Sequence, residues 1–255
     1  MDEIKWCIGY LKEYNKLNGL FNLPDDLTLR ALMNITMPIN LSDEFYTKQN
    51  IAIKDIYKSK QIVDVNNLHP IYKNIYLYKG DITLIKADAI VNACNEKLLG
   101  CFSPLHSCID NAIHSFAGLQ VRRDLMIVMN NQGFDEPNGK AKITPGYNLP
   151  AKYILHTVGP KAFLGVTKQN EEDLYSCYIS CLNLANEYKL NNIVFCSIST
   201  GVYGYPINKA CKVAIKAVLD YLDNNKNTTI EKVVFNVFSR EDYDVYNRTI
   251  TELNR

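Results

Sequence analysis

The spacing of apolar residues changes character once along the chain. Up to about residue 72 it follows a helical period. WCIGYLKEYN (6–15) is a short amphipathic segment. In LPDDLTLRALMNITM (23–37), Pro24 and Asp25 mark a helix start, and Leu29, Leu32 and Met33 share a face. SDEFYTKQNIAIKDIY (42–57) opens on Ser-x-x-Phe, half of a capping box, and keeps the helical period. From residue 73 onward, β-branched and aromatic runs of strand length take over: IYLYK (75–79), DAIVNA (88–93), KYILHTV (152–158), NIVFCSI (192–198) and KVVFNVF (232–238). Helical patterns lie between them, at 171–188, after Cys108, and at 208–224. The last carries Ala210, Val213, Ala214, Ala217, Val218, Tyr221 and Leu222 on one stripe, with Asn208 expected as N-cap. Alternation of this kind predicts an α/β fold, a parallel or mixed sheet covered by helices on both faces. No Gly/Ser-rich linker follows the helical part. Residues 1–72 are therefore expected to form a helical N-terminal extension packed on a main domain of residues 73–255.

Composition narrows the function. Hydrophobic residues make up 47% and charged residues 22%, ordinary values for a globular protein. With 28 basic and 27 acidic residues the formal net charge is +1, so no global field draws nucleic acid or an anionic membrane. No apolar run approaches the roughly 18–20 residues of a membrane helix. The start, MDEIKWCIGY, is acidic and has no basic-then-apolar signal pattern. These features lead us to expect a cytoplasmic protein. Of the eight cysteines, Cys7, Cys94, Cys177, Cys181, Cys196 and Cys211 sit among apolar neighbours and read as small core residues. Cys101 and Cys108 differ, because His106 lies between them.

Ligands of open α/β sheets bind beyond the carboxyl ends of strands, where loops feed helix N-termini. Three segments here leave a strand and turn polar: the stretch after Ala93 through GCFSPLHSCIDN (100–111), STGVYGYP (199–206), and FSREDY (238–243). Gly201 and Gly204 allow close backbone approach before the helix near Asn208, and free amides there suit a phosphate or diphosphate. The pattern matches neither the Walker loop nor the dinucleotide fingerprint, so alone it is also compatible with a simple tight turn. In C-x4-H-x-C, the thiols of Cys101 and Cys108 and the imidazole of His106 suit zinc rather than magnesium or calcium. Three protein ligands leave a coordination position open, which separates catalytic from structural zinc. Spacing alone leaves open both a metal site and an ordinary loop. A Cys108–His106 nucleophile pair is disfavoured, since residues two apart in a loop reach hydrogen-bond geometry poorly.

GDITLIKADAIVNACN (80–95), TPGYNLPAKYILHTVGP (144–160) and STGVYGYP (199–206), in this order, resemble the macrodomain family of ADP-ribose binders over about residues 75 to 250. Where most macrodomains have a glycine-rich run before an aspartate, this chain has GCFSPLHSC before Ile109 and Asp110. That replacement resembles the zinc-dependent microbial subgroup, and LRALMNITMPINLSDEFYTKQNIAI (29–53) resembles its helical extension. Ile35-Thr36 departs from the arginine-containing version of that segment. The resemblance implies a three-layer α/β/α sandwich with a mixed central sheet. It implies that Asp81, with the Ile82 backbone, binds the adenine amino group, and that Phe238 stacks on the ring. Without it, Asp81 would read as a turn residue and Phe238 as core. It places Asn92 and Asn95 near the distal ribose, Asn95 in direct contact. It gives the diphosphate to the loop of Ser199, Thr200, Gly201, Val202, Tyr203, Gly204 and Tyr205.

The resemblance further implies one Zn2+ on Cys101, His106 and Cys108, facing the distal ribose. There it would polarise a ribose or linkage oxygen, or activate water. Asp110, with Asn95, is the expected catalytic group, as general base or water-orienting carboxylate, while also serving to cap the following helix. The implied activity is hydrolytic release of ADP-ribose from a mono-ADP-ribosylated protein, a glycosidase-type reaction. The alternative is a reader that binds ADP-ribose without cleaving it. A nucleic-acid partner is disfavoured by the near-zero net charge.

Overall fold

In the computed structural model, residues 2–17 and 22–254 are described. Three helices come first: α1 (Glu3–Tyr14), α2 (Asp25–Ile35) and α3 (Asp43–Tyr57). Asp2 caps α1, and the Ser42 hydroxyl accepts the Phe45 amide at 3.1 Å to start α3. Cys7, Leu11, Leu29, Leu32, Phe45 and Ile53 form a separate small core for this unit. Leu119, from the main body, closes it.

The main body continues as β1 (Val63–Asp64), β2 (Pro70–Tyr72), β3 (Ile75–Lys79), β4 (Ile85–Lys86), β5 (Ala89–Cys94), α4 (Ile109–Ala117), α5 (Leu119–Gln132), β6 (Ala141–Pro145) and β7 (Tyr153–Val158). It ends with α6 (Lys168–Glu187), β8 (Asn192–Phe195), α7 (Ile207–Asn224), β9 (Lys232–Val237) and α8 (Arg240–Thr251). Seven strands form one sheet in the order β2-β3-β9-β8-β5-β7-β6, and β1 pairs with β4 beside it. The five inner strands are parallel, with Ile90 opposite both Val194 and Ile154, and Val234 opposite both Val194 and Tyr76. The edge strands β2 and β6 run antiparallel. Inner strands built as AIVNAC, NIVF and KVVFNV have no solvent face, which is why they read as apolar runs rather than alternations. Helices α6, α7 and α8 pack in sequence against one another, and α4 packs on α5 and on α2. The architecture is the α/β/α sandwich with a mixed sheet that the sequence predicts. No helix among the described residues is long and apolar enough to cross a membrane.

The structure corrects two local readings and adds two elements that the sequence reading passed over. Helix does not continue to residue 72: it stops at Tyr57, and β2 already belongs to the sheet. An antiparallel edge strand tolerates Pro70, which donates no ladder bond. AKITP is likewise an edge strand, ending on Pro145, and has too little patterning to be recognised. FSREDY is the start of α8, whose buried stripe is only Tyr246 and Ile250 and whose cap is Ser239. Asn208 does not cap α7, because Pro206 holds the chain extended and the helix starts one residue later, at Ile207.

Candidate functional site

Because β3, β9, β8 and β5 are parallel, their carboxyl ends share one edge of the sheet, and the segments leaving them enclose a cleft of about 890 Å³. One end is built by the residues following β3 and β9. Asp81 starts a 3-10 turn over Ile82–Leu84, with Oδ1 accepting the Thr83 amide (2.9 Å) and hydroxyl (2.7 Å). That leaves Oδ2 for a ligand's donor. Phe238 is 80% exposed and lines the cleft, so it is a free aromatic face rather than a core residue. Asn236 ties the two strand ends together by donating to the Gly80 carbonyl at 3.1 Å.

The middle is the loop after β8. Gly204 donates to the Gly201 carbonyl (3.0 Å) and Tyr205 to the Ser199 carbonyl (3.0 Å), folding the chain back on itself. Ser199 (φ 66°) and Gly204 (φ 69°) take left-handed conformations to do so. The amides of Gly201, Val202 and Tyr203 have no hydrogen-bond partner among the described residues, which leaves them available to a ligand in the cleft. Ser199, Thr200, Gly201, Val202 and Tyr203 line the cleft. Gly204 and Tyr205 do not: they shape the turn, and Tyr205 is buried in the core.

The far end is the loop after β5. Asn95 lines the cleft, but its side chain also braces this loop, donating to the Gly100 carbonyl (3.2 Å) and accepting the Lys97 amide (3.0 Å). Gly100 has φ 82°, and a Cβ there would lie 2.7 Å from the His114 ring, so glycine alone lets the loop cross that histidine. Beyond it, the ligand atoms of Cys101, His106 and Cys108 all lie within 4.8 Å of one another. Two sulfurs at about 2.3 Å from a tetrahedral zinc ion stand about 3.8 Å apart, so the donor set can reach one zinc ion by closing up modestly. His114 is not part of the group. It is 3% exposed, and its Nε2 lies 3.4 Å from Asp110 Oδ1. Neither ring nitrogen makes a well-aligned hydrogen bond among the described residues, and burial holds it well below the usual histidine range.

Cys108, not Asp110, caps α4: its sulfur accepts the Asn111 amide at 3.4 Å. Burial pushes the Cys108 thiol up to about 12, against the pull of that amide. A thiol held so high is a poor nucleophile at neutral pH, and a bound cation is what would release its proton. Asp110 lies in the first turn of α4, 5% exposed yet at the cleft wall. Burial pushes its carboxyl up to about 6, opposed by a 2.8 Å hydrogen bond from Asn92 and by the charge of Arg122. Asn92 is fully buried and does not reach the cleft. It stands behind Asp110, with the same amide nitrogen 3.3 Å from His156 Nδ1, and His156 Nε2 lies 2.9 Å from the Thr144 hydroxyl. Burial takes His156 down to about 3, so this chain is neutral and orients the carboxylate rather than charging it.

Several cleft residues carry no signal in the sequence. Arg30, on α2, reaches the wall and holds Ser115 Oγ (3.2 Å) and Asn111 Oδ1 (2.9 Å). An arginine on a leucine-lined helix is not marked by its neighbours. Ser197 and Asp242 also line the cleft, the former with a buried hydroxyl that lacks a partner among the described residues.

A three-layer sandwich with an anion loop, an exposed aromatic and an acidic turn around one cleft defines a class, and the chain belongs to it: the Macro domain family, whose model matches residues 91–214. It is 47% identical over 250 residues to a Staphylococcus aureus protein named protein-ADP-ribose hydrolase, covering 95% of this chain and 93% of the relative. A Treponema medium protein of the same name is 42% identical, covering 96% and 97%. Among solved structures, the Trypanosoma brucei macrodomain in complex with ADP-ribose superposes with a TM-score of 0.66 at 30% identity, covering 84% of this chain and 92% of that one.

Proposed function

We propose that this protein is a zinc-dependent hydrolase that removes mono-ADP-ribose from modified protein side chains. The observation that carries the reading is the Cys101–His106–Cys108 set at one end of a cleft whose other end offers Asp81 and Phe238. The relatives named protein-ADP-ribose hydrolase support it. Asp81 Oδ2 accepts from the adenine amino group, Phe238 stacks on the ring, the amides of Gly201, Val202 and Tyr203 take the diphosphate, and Asn95 faces the distal ribose. Bound zinc supplies Lewis acidity at that ribose. Asp110, ionised at neutral pH and held by Asn92, accepts a proton from the water that attacks the anomeric carbon. The eight free cysteines suit a reducing compartment, and we place the reaction in the cytoplasm.

The test is release of free ADP-ribose from a mono-ADP-ribosylated protein by zinc-loaded and chelator-stripped enzyme. Loss of release on stripping and its return with zinc is the expected result. Release unchanged by stripping would remove zinc from the chemistry. Tight ADP-ribose binding with no release in either state would make the protein a reader. In the binding step, Phe238→Ala is expected to weaken ADP-ribose by about 5- to 150-fold, since stacking on such an aromatic is worth about 1–3 kcal/mol. Titration calorimetry checks this, with zinc content unchanged, because Phe238 is remote from the metal loop.

A further inference from the structure

We infer that Asn34, on α2 of the N-terminal helical unit, is a positioning residue that holds the metal loop in its ligand-ready shape. The inference rests on the zinc reading above. Between Cys101 and His106 the loop makes a four-residue turn, closed by the His106 amide donating to the Ser103 carbonyl at 3.2 Å. Pro104 is second in this turn and Leu105 third, with φ 55°. A positive φ at the third position of a turn normally calls for glycine, and a bulky residue there is strained. The strain falls on the residue immediately before a metal ligand, so relaxing it would swing His106 away from both cysteines.

Asn34 opposes that relaxation. It is 1% exposed, and its Oδ1 accepts the Leu105 amide at 3.0 Å while its Nδ2 donates to Ser115 Oγ at 2.9 Å. One side chain thus ties α2, α4 and the strained residue of the loop together. Asn111 fixes the other side of the turn, donating to the Ser103 carbonyl at 2.9 Å, and Arg30 of α2 in turn holds Asn111. A site with only three protein ligands depends on such outer support more than a closed four-ligand site. This gives the helical extension a role at the metal site, although it contributes no ligand.

The experiment measures zinc affinity by chelator competition, and folding by circular dichroism, for the full chain and its variants. Asn34→Leu is expected to weaken zinc about 10- to 100-fold, the usual effect of removing outer support from a metal site. Asn34→Asp, which keeps the acceptor for the Leu105 amide but loses the donor to Ser115 Oγ, should fall between wild type and Asn34→Leu. Ile8→Val, which loosens the same helical unit without touching the loop, should leave zinc affinity unchanged. If Asn34→Leu does not fold, Asn34→Ala carries the same expectation. Wild-type zinc affinity in Asn34→Leu or Asn34→Ala, or an equal loss in Ile8→Val, overturns the inference and leaves the zinc reading intact. Failure of the wild type to bind zinc overturns both.

Discussion

Cys101→Ala and His106→Ala are each expected to keep the fold and to lose about three orders of magnitude in turnover. On the proposed zinc reading, either change would leave two protein ligands, too few to hold the metal at a defined point beside the distal ribose. Lewis-acid stabilisation by a bound metal is worth several kcal/mol in the transition state, and about 4 kcal/mol corresponds to about a thousandfold in rate. Both side chains are only half-buried and lie outside the hydrophobic core, so the melting temperature of the metal-free protein should barely move. Cys108 is the poorer probe, because its sulfur also caps α4, and Cys108→Ala would remove a ligand and a cap together. Release of free ADP-ribose and bound zinc are read in the same preparations. Full turnover in either variant would take the metal out of the chemistry and leave Asp110 with its supporting asparagine.

How much of this was legible in the sequence depended on whether the deciding interaction was local. The inner strands could be read because burial on both faces demands uninterrupted β-branched runs, as in AIVNAC and KVVFNV. β2, β6 and α8 could not, since two are edge strands carrying proline and the third buries only Tyr246 and Ile250. In the site, Cys101, His106 and Cys108 were visible as a cluster because donors for one ion sit within eight residues. The resemblance put both Asn92 and Asn95 near the distal ribose, with Asn95 in direct contact, but nothing in VNACN itself shows what Asn92 does instead. Asn92 is inside β5, where both faces are covered, whereas Asn95 is just past its end. One therefore orients Asp110 and the other reaches the cleft. Arg30, Asn34 and Arg122 were illegible for a different reason. Apart from Leu99, which is 23 residues from Arg122, the partners named for them lie about 70 to 90 residues away, and nothing in their neighbourhoods distinguishes them from ordinary helix residues.

Arg122 carries the largest stability prediction. It is 1% exposed, yet its guanidinium has no direct carboxylate partner among the described residues. Instead Nη1 donates toward the carbonyls of Met33 (2.9 Å), Asn34 (2.9 Å) and Thr36 (2.6 Å), and Nε donates to the carbonyl of Leu99 (2.6 Å). The first three lie at the end of α2, where the helix dipole is negative and a cation is favoured. The Met33 carbonyl also accepts the Thr36 amide at 3.3 Å, whereas those of Asn34 and Thr36 have no other backbone donor among the described residues. The Phe102 ring covers the group, with its centroid 4.3 Å from Cζ. Burial lowers the Arg122 pKa to about 10, so it stays charged at neutral pH. Arg122→Met would fill similar volume but strand the carbonyls of Asn34, Thr36 and Leu99 at once, while Met33 keeps the Thr36 amide. Each such loss costs about 1–3 kcal/mol, and overlap between neighbours brings the total to about 3–5 kcal/mol. At about 2–4 °C per kcal/mol for a domain of this size, the melting temperature should fall by about 6–20 °C. Arg122→Lys should recover less than half of that, because one ammonium cannot reach the α2 carbonyls and Leu99 together. Melting is measured on metal-free protein, so that lost zinc does not add to the effect. A drop below about 1 kcal/mol would mean that water replaces the guanidinium at these carbonyls, and that α2 is held to the metal loop by Asn34 and apolar packing instead.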